Sequence, residues 1–261
     1  MKIGEYLEIF KKYINDNYDL NNPLINLKYH HTIRVATLMF EIGERLNLSD
    51  EGLKMAFLIG LFHDLGRFEE AVINNKFDNL MFDHAAISNK ILFGASFIKT
   101  FDIKDDWYSV ISKSIYNHNK KEIEGDMSKR ELFYSKLIRD ADKIDIINLM
   151  AKRNHSFEAI PSKNVLLPYL YKQEIDLKDL NTKSDRVLLY LGFANNLYFT
   201  ESKELLDEYG YLDEYVKSVL VKYELREYYN EIVVKLKREL MYEIKNKENN
   251  ERGKVYVRKE V

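Results

Sequence analysis

Residues 61–68 read LFHDLGRF, and the reading of this octapeptide decides the fold. The run leading into it, MAFLIGLF (Met55–Phe62), offers no polar position and is the pattern of a helix buried on all sides. Ending such a helix in His63 and Asp64 sends an imidazole and a carboxylate into one interior. Ionised carboxylates are almost never fully buried unless they are paired or bound to a metal. What His63 and Asp64 meet there is the question the rest of the chain has to answer.

Composition narrows the reply. The 261 residues suffice for one large domain or a domain with an extension, and 46% apolar content supplies a sizeable core. Only 3 Pro and 10 Gly punctuate long periodic segments, which points to an all-α fold. Lys+Arg 40 against Asp+Glu 42 leaves a net charge of −2, so nothing favours binding a nucleic-acid polymer. With no cysteine, disulfides, thiolate metal sites and a Cys nucleophile are all excluded; any metal must be held by nitrogen and oxygen. The N-terminal stretch lacks the continuous apolar run of a signal peptide, and no segment approaches the ~18 apolar residues of a membrane span. The chain reads as cytoplasmic and soluble.

Outward from the octapeptide, periodicity predicts a sequence of helices. An amphipathic helix over Ile3–Asn17 is followed by one over Leu27–Leu46. Ser49 and Asp50 cap the helix that runs into His63 and Asp64, and Gly66 is expected to end it. Asn74–Asp83 reads as a loop, with Asp83 capping a helix over His84–Leu92. Helices over Asp106–His118 and Glu131–Met150 follow, joined by the polar connection NHNKKEIEGDMSK. A break at Ser156–Pro168 separates a core of residues 1–155 from an extension of residues 156–261 packed on it. The extension is helical over Asp185–Ile244, and the charged tail KNKENNERGKVYVRKEV is expected to fray.

The 6 histidines can be placed on these helices. His31 shares a stripe with Leu27, Val35, Leu38 and Ile42, whereas His30 points about 100° away. His63 lies one turn after Ile59. His118 falls three residues after Ile115 and seven after Ile111. His84 opens its helix above Ile87 and Ile91. His155 sits beside a loop and reads as a surface residue. Four imidazoles on four helices thus face the core, and the segment RDADKID adds Asp142, on a stripe with Ile138, Ile146 and Leu149, and Asp140 near Leu137 and Ile144. Burying so much polarity needs many partners; a metal cluster satisfies all of it, since neutral imidazoles offer lone pairs and carboxylates offer charge.

The ordered set H…HD…H…H…D resembles the HD superfamily of metal-dependent phosphohydrolases. The matching pieces are HTIRVA at His31, LFHDLGRF at His63 and Asp64, DHAAISNKILF at His84, IYNHNK at His118 and RDADKID at Asp142. The resemblance spans about residues 25–150 and is closest to bacterial stand-alone HD-domain proteins. It implies that His31, His63, Asp64 and Asp142 hold a first ion. His84 and His118 serve a second, with Asp64 bridging, or else they face substrate in a one-metal site. Mn²⁺, Fe²⁺, Co²⁺, Ni²⁺, Zn²⁺ or Mg²⁺ all suit such ligands.

The resemblance further implies a hydrolase that cleaves a small-molecule phosphate ester, a nucleotide in the first instance. A divalent ion lowers the pKa of bound water to roughly 7 and so makes a nucleophile available at neutral pH. Asp64, Arg67 and Lys143 are the candidate catalytic residues, the two cations being placed to neutralise substrate phosphate. Asp140 stands as an alternative to Asp142, and Asp145 as a partner behind a ligand histidine. Two other readings stay open: a di-iron oxygenase built on the same ligand stations, and a sensor that binds a nucleotide without turnover. The Tyr-rich C-terminal region reads as packing, a homodimer face or a lid.

Overall fold

The computed structural model describes residues 3–77, 82–94 and 96–258. Within them the chain is all-α, apart from two three-residue strands. The expected loop over Asn74–Asp83 is described only in part, because residues 78–81 lie outside this set.

The chain divides into two compact units, Met1–Asp142 and Lys143–Val261. The first holds α1 (Ile3–Asn17), α2 (Pro23–Arg45), α3 (Asp50–Phe62), α4 (Leu65–Asn74), α5 (His84–Asn89), α6 (Tyr108–Asn117) and the first part of α7 (Lys129–Ala151). Side-chain caps set the starts. Asn22 accepts from the Leu24 amide with Pro23 in the first turn, Ser49 accepts from Gly52, and Asp83 accepts from Ala86. Starting at Pro23, α2 is one turn longer at its head than its apolar pattern suggests.

Every residue of α3 from Met55 to Phe62 is buried, so α3 is the central rod of this unit. Each large apolar side chain sequestered this way contributes about 1.5–3 kcal/mol. Contact between α2 and α3 is nearly backbone to backbone. A Cβ added at Gly60 would stand 2.6 Å from the Ala36 Cα. That close crossing fixes the separation of His31 and His63, which lie within two turns of it on either helix.

The octapeptide itself does not end a helix at Gly66. α3 stops at Phe62, His63 keeps helical angles, Asp64 takes φ −110° and ψ 21°, and a new helix, α4, starts at Leu65. Gly66 lies in the first turn of α4, so its role is close approach to α5, not termination. Ser88 of α5 locks the corner: its hydroxyl accepts from the Gly66 amide at 2.8 Å and donates to the His63 carbonyl at 2.9 Å. α5 itself gives way after Asn89 to a wider π turn over Lys90–Gly94.

The second unit contains the rest of α7, a strand β1 (His155–Phe157), α8 (Lys163–Leu170), α9 (Lys183–Asn195), α10 (Thr200–Glu208), α11 (Tyr211–Ser218), a strand β2 (Val219–Val221) and α12 (Arg226–Arg258). The strands pair in parallel, His155 opposite Val219. Pro168 sits inside α8 instead of breaking the chain. α12 runs on past Ile244 to Arg258 where fraying was expected. Just past Ile244, Lys247 pairs with Glu201 and Glu204 of α10. His155, expected on the surface, is half-buried: its ring packs between Tyr190 and Tyr215, and it bonds the Met150 carbonyl at 3.0 Å.

Candidate metal centre

Asp64 occupies the N-cap position of α4, where an aspartate ordinarily accepts from the helix amides. It makes no such bond. Its carboxylate turns into the bundle instead, where its two oxygens serve different neighbours. Oδ2 lies 3.5 Å from His31 Nε2 and 3.6 Å from His63 Nε2. Oδ1 lies 3.5 Å from His118 Nε2 and 3.6 Å from His84 Nε2. Asp142, arriving on α7, places Oδ1 3.2 Å from His31 Nε2 and 3.9 Å from His63 Nε2. The structure therefore brings all six expected ligands to one place, from α2, the α3–α4 corner, the start of α5, the end of α6 and α7, all within the first unit. Two subsets, His31–His63–Asp142 and His63–Asp64–His118, have ligand atoms all within 4.8 Å of one another and could each hold an ion.

The imidazoles are turned for this task by bonds on their far nitrogens. His63 Nδ1 donates to the Gly60 carbonyl at 2.7 Å, and His118 Nδ1 donates to the Ile115 carbonyl at 2.6 Å. Each bond fixes the tautomer with its lone pair on Nε2, the nitrogen that faces the cluster. Buried His63 Nε2 then has no hydrogen-bond partner among the described residues. His84 Nε2 and His118 Nε2 are 3.1 Å apart. Atoms that share a cation at about 2.0–2.2 Å lie roughly 3.0–3.5 Å from each other, which matches most of these separations. On the lone pair of His63, the ligand chemistry and the spacing, the residues fit a divalent metal.

Electrostatics favours the same state. Burial pushes the His63 imidazole down to about 4 against the opposing pull of Asp64 and Asp142, so it is neutral at pH 7. Burial, then the Arg67 guanidinium, hold His84 well below its ordinary value. Burial alone would push the Asp64 carboxyl up, but the Lys28 ammonium and the facing imidazoles outweigh it and hold the group well below the usual range. Asp142 is likewise lowered, by His31 and His63, in spite of its burial. Neutral imidazoles beside ionised carboxylates are the forms a metal requires.

A pH dependence of the metal-free protein follows. Between pH 6.5 and about 4 the unfolded chain takes up a proton at His63 that the folded chain refuses, so stability is complete above pH 6.5 and declines on acidification. The slope is about 1.4 kcal/mol per pH unit for each such imidazole. The carboxylates, lowered in the folded state, keep their contribution until the pH falls below their ordinary range near 4. Urea midpoints measured without metal should drop steadily from pH 6.5 to 4; a flat profile would contradict the buried neutral His63.

The remaining candidates divide. Arg67 lies at the cluster: its Nη1 binds buried Glu70 at 2.5 Å, and Nε stands 3.8 Å from Asp64 Oδ1 with no hydrogen-bond partner among the described residues. Lys143 directly follows Asp142, but its ammonium is held by Glu174 at 2.6 Å and by the Asn196 carbonyl at 3.3 Å. Asp140 is fully buried and belongs to neither candidate ligand group. Asp145 accepts from Asn148 at 3.3 Å. His30, about 100° round α2 from His31, is exposed. Three contributors escaped the sequence reading. Lys28 reaches Asp64 Oδ2 at 2.8 Å, and its position three residues before His31 on the same stripe was the available signal. Glu70, three after Arg67, carried a similar signal. Ser88 carried none. Arg139 also reaches beyond its helix, donating to the carbonyls of Asn117, Lys120 and Lys121 and so pinning the loop after His118.

Helices that converge histidines and aspartates on one buried point define an all-α protein with a candidate metal centre. Residues 29–147, which contain every one of these ligands, match the family model of the HD domain. That stretch is accordingly an HD domain, of a family generally made up of metal-dependent hydrolases. No match was found among curated proteins or among solved structures. Among the described residues no helix is long and apolar enough to cross a membrane.

Proposed function

We propose that this protein is a divalent-metal-dependent phosphohydrolase whose substrate is a small phosphate ester, a nucleotide in the first instance. The observation that carries the reading is the division of Asp64: one oxygen faces His31 and His63 with Asp142 beside them, the other faces His84 and His118. A carboxylate so placed suits two neighbouring sites that share it, with His31, His63, Asp64 and Asp142 on one side and His84 and His118 on the other. Metal at this position supplies an activated water and neutralises phosphate charge. The chain's own part is to keep His63 and His84 neutral, exclude bulk water and offer a cation to the substrate. Arg67 supports that last role best, because its Nε–H is buried beside the cluster with no hydrogen-bond partner among the described residues. Lys143 joins only by leaving Glu174.

The test is elemental analysis of purified protein beside phosphate release from a panel of nucleotides and simple aryl phosphates. One or two ions per chain and Mn²⁺-dependent release at least ~10-fold above metal-free protein are expected, since each metal contact is worth several kcal/mol of transition-state stabilisation. Bound iron with oxygen consumption and no phosphate would show an oxygenase instead. Nucleotide binding without turnover under any divalent ion would show a sensor.

A further inference from the structure

We infer that Lys28 is a substrate-contacting residue that receives a phosphoryl oxygen at the rim of the centre, opposite Arg67. The inference rests on the phosphohydrolase reading above. Two cations straddle one carboxylate: Lys28 Nζ is 2.8 Å from Asp64 Oδ2, and Arg67 Nε is 3.8 Å from Oδ1. Both also stand against one ring, the Lys28 ammonium 5.2 Å and the Arg67 guanidinium 5.9 Å from the centroid of Phe77. A single aromatic ring thereby holds two positive charges side by side that would otherwise repel.

Their exposure sets them apart from the ligands they touch. The Lys28 side chain is 15% exposed and that of Arg67 19%, against 4% for the Asp64 carboxylate between them and 19% for Asp142 on the other side of the cluster. The cations lie where buried ligands meet solvent. Beneath that rim Arg67 Nε is buried 3.8 Å from Asp64 Oδ1 and has no hydrogen-bond partner among the described residues. Lys28 brings three donors on a flexible four-carbon stem, and among the described residues its hydrogen bond goes to one oxygen of Asp64. With Asp64 neutralised by a divalent ion, like charges disfavour ammonium and ion on the same oxygen, and the nearest chemistry that suits a released Lys28 beside Arg67, itself still paired with Glu70, is an anion with several oxygens. A phosphoryl group is such an anion.

The experiment uses Mn²⁺-loaded full-length protein, which keeps Asp64 neutralised when Lys28 is removed. Inorganic phosphate is titrated calorimetrically into wild type, Lys28→Met and Lys28→Arg, and Mn²⁺ affinity is measured for each. Expected is a loss of phosphate affinity of roughly ten- to a hundredfold in Lys28→Met, with most of it restored in Lys28→Arg and Mn²⁺ affinity undiminished in both. Unchanged phosphate affinity in Lys28→Met would overturn the inference and leave Lys28 as the ion-pair partner of Asp64. Parallel loss of Mn²⁺ in Lys28→Met would also overturn it, making the lysine a support for the ligand. Failure of wild type itself to bind Mn²⁺ or phosphate would instead defeat the hydrolase reading, and is told apart because no substitution is involved.

Discussion

On the proposed phosphohydrolase reading, Asp64→Asn should empty the centre and abolish hydrolysis while leaving helicity intact. No other carboxylate within the candidate groups reaches both histidine pairs, since Asp142 faces only His31 and His63. The amide keeps the size of the side chain but withdraws the charge that offsets a dication in a buried setting, where charges are costly unless paired. Metal content is expected to fall from one or two ions per chain to near zero. Phosphate release should drop roughly 10³-fold or more, as several kcal/mol of transition-state stabilisation disappears. Circular dichroism controls for the fold. Asp142→Asn should lose metal as well, whereas Asp140→Asn should keep it, because Asp140 stands outside both candidate groups. Wild-type metal content and rate in Asp64→Asn would falsify the assignment.

The second large effect is expected at a residue with no side chain. In Gly66→Ala the new Cβ would stand 2.2 Å from the His84 carbonyl oxygen and 3.0 Å from its carbon. Backbone atoms cannot rotate away, so α4 and α5 must part by roughly 1 Å to restore an ordinary 3.4 Å contact. That strains the Ser88 bridge between the Gly66 amide and the His63 carbonyl and carries His84 away from Asp64. Overpacking of this kind costs about 1–3 kcal/mol. Metal sites tolerate only about 0.2 Å in ligand distance, and loss of support around ligands costs 10–100-fold in affinity. Urea unfolding without metal and a metal titration would each register the change. Gly94→Ala, whose nearest neighbour is 3.8 Å away, is the control and should stay within about 0.5 kcal/mol of wild type. Equal behaviour of the two variants would contradict the packing at this corner.

Much of the first unit could be read from spacing, because a helix repeats every 3.6 residues whatever it packs against. That is why His31, His63, His84 and His118 could be placed on inward faces without coordinates. α4 was overlooked although Leu65, Phe68 and Ala71 carry its stripe; Gly66, taken as a stop signal, concealed it. The paired strands offered nothing local to find, since β1 and β2 are three residues each and meet across sixty-odd positions of chain. Pro168 misled in the same way as Gly66: a residue that often ends helices was tolerated within one.

What the residues by themselves determined is therefore the kind of chemistry available: nitrogen and oxygen ligands, no thiol, and four imidazoles turned inward. Which of those groups stand together was decided by two close approaches, Gly60 on Ala36 and Gly66 on His84. Periodicity along a helix tells which way a side chain points, but the distance to its counterpart on another helix depends on where the two backbones cross. Lys28 shows the difference most clearly, since its direction was legible and its partner, 36 positions away, was not.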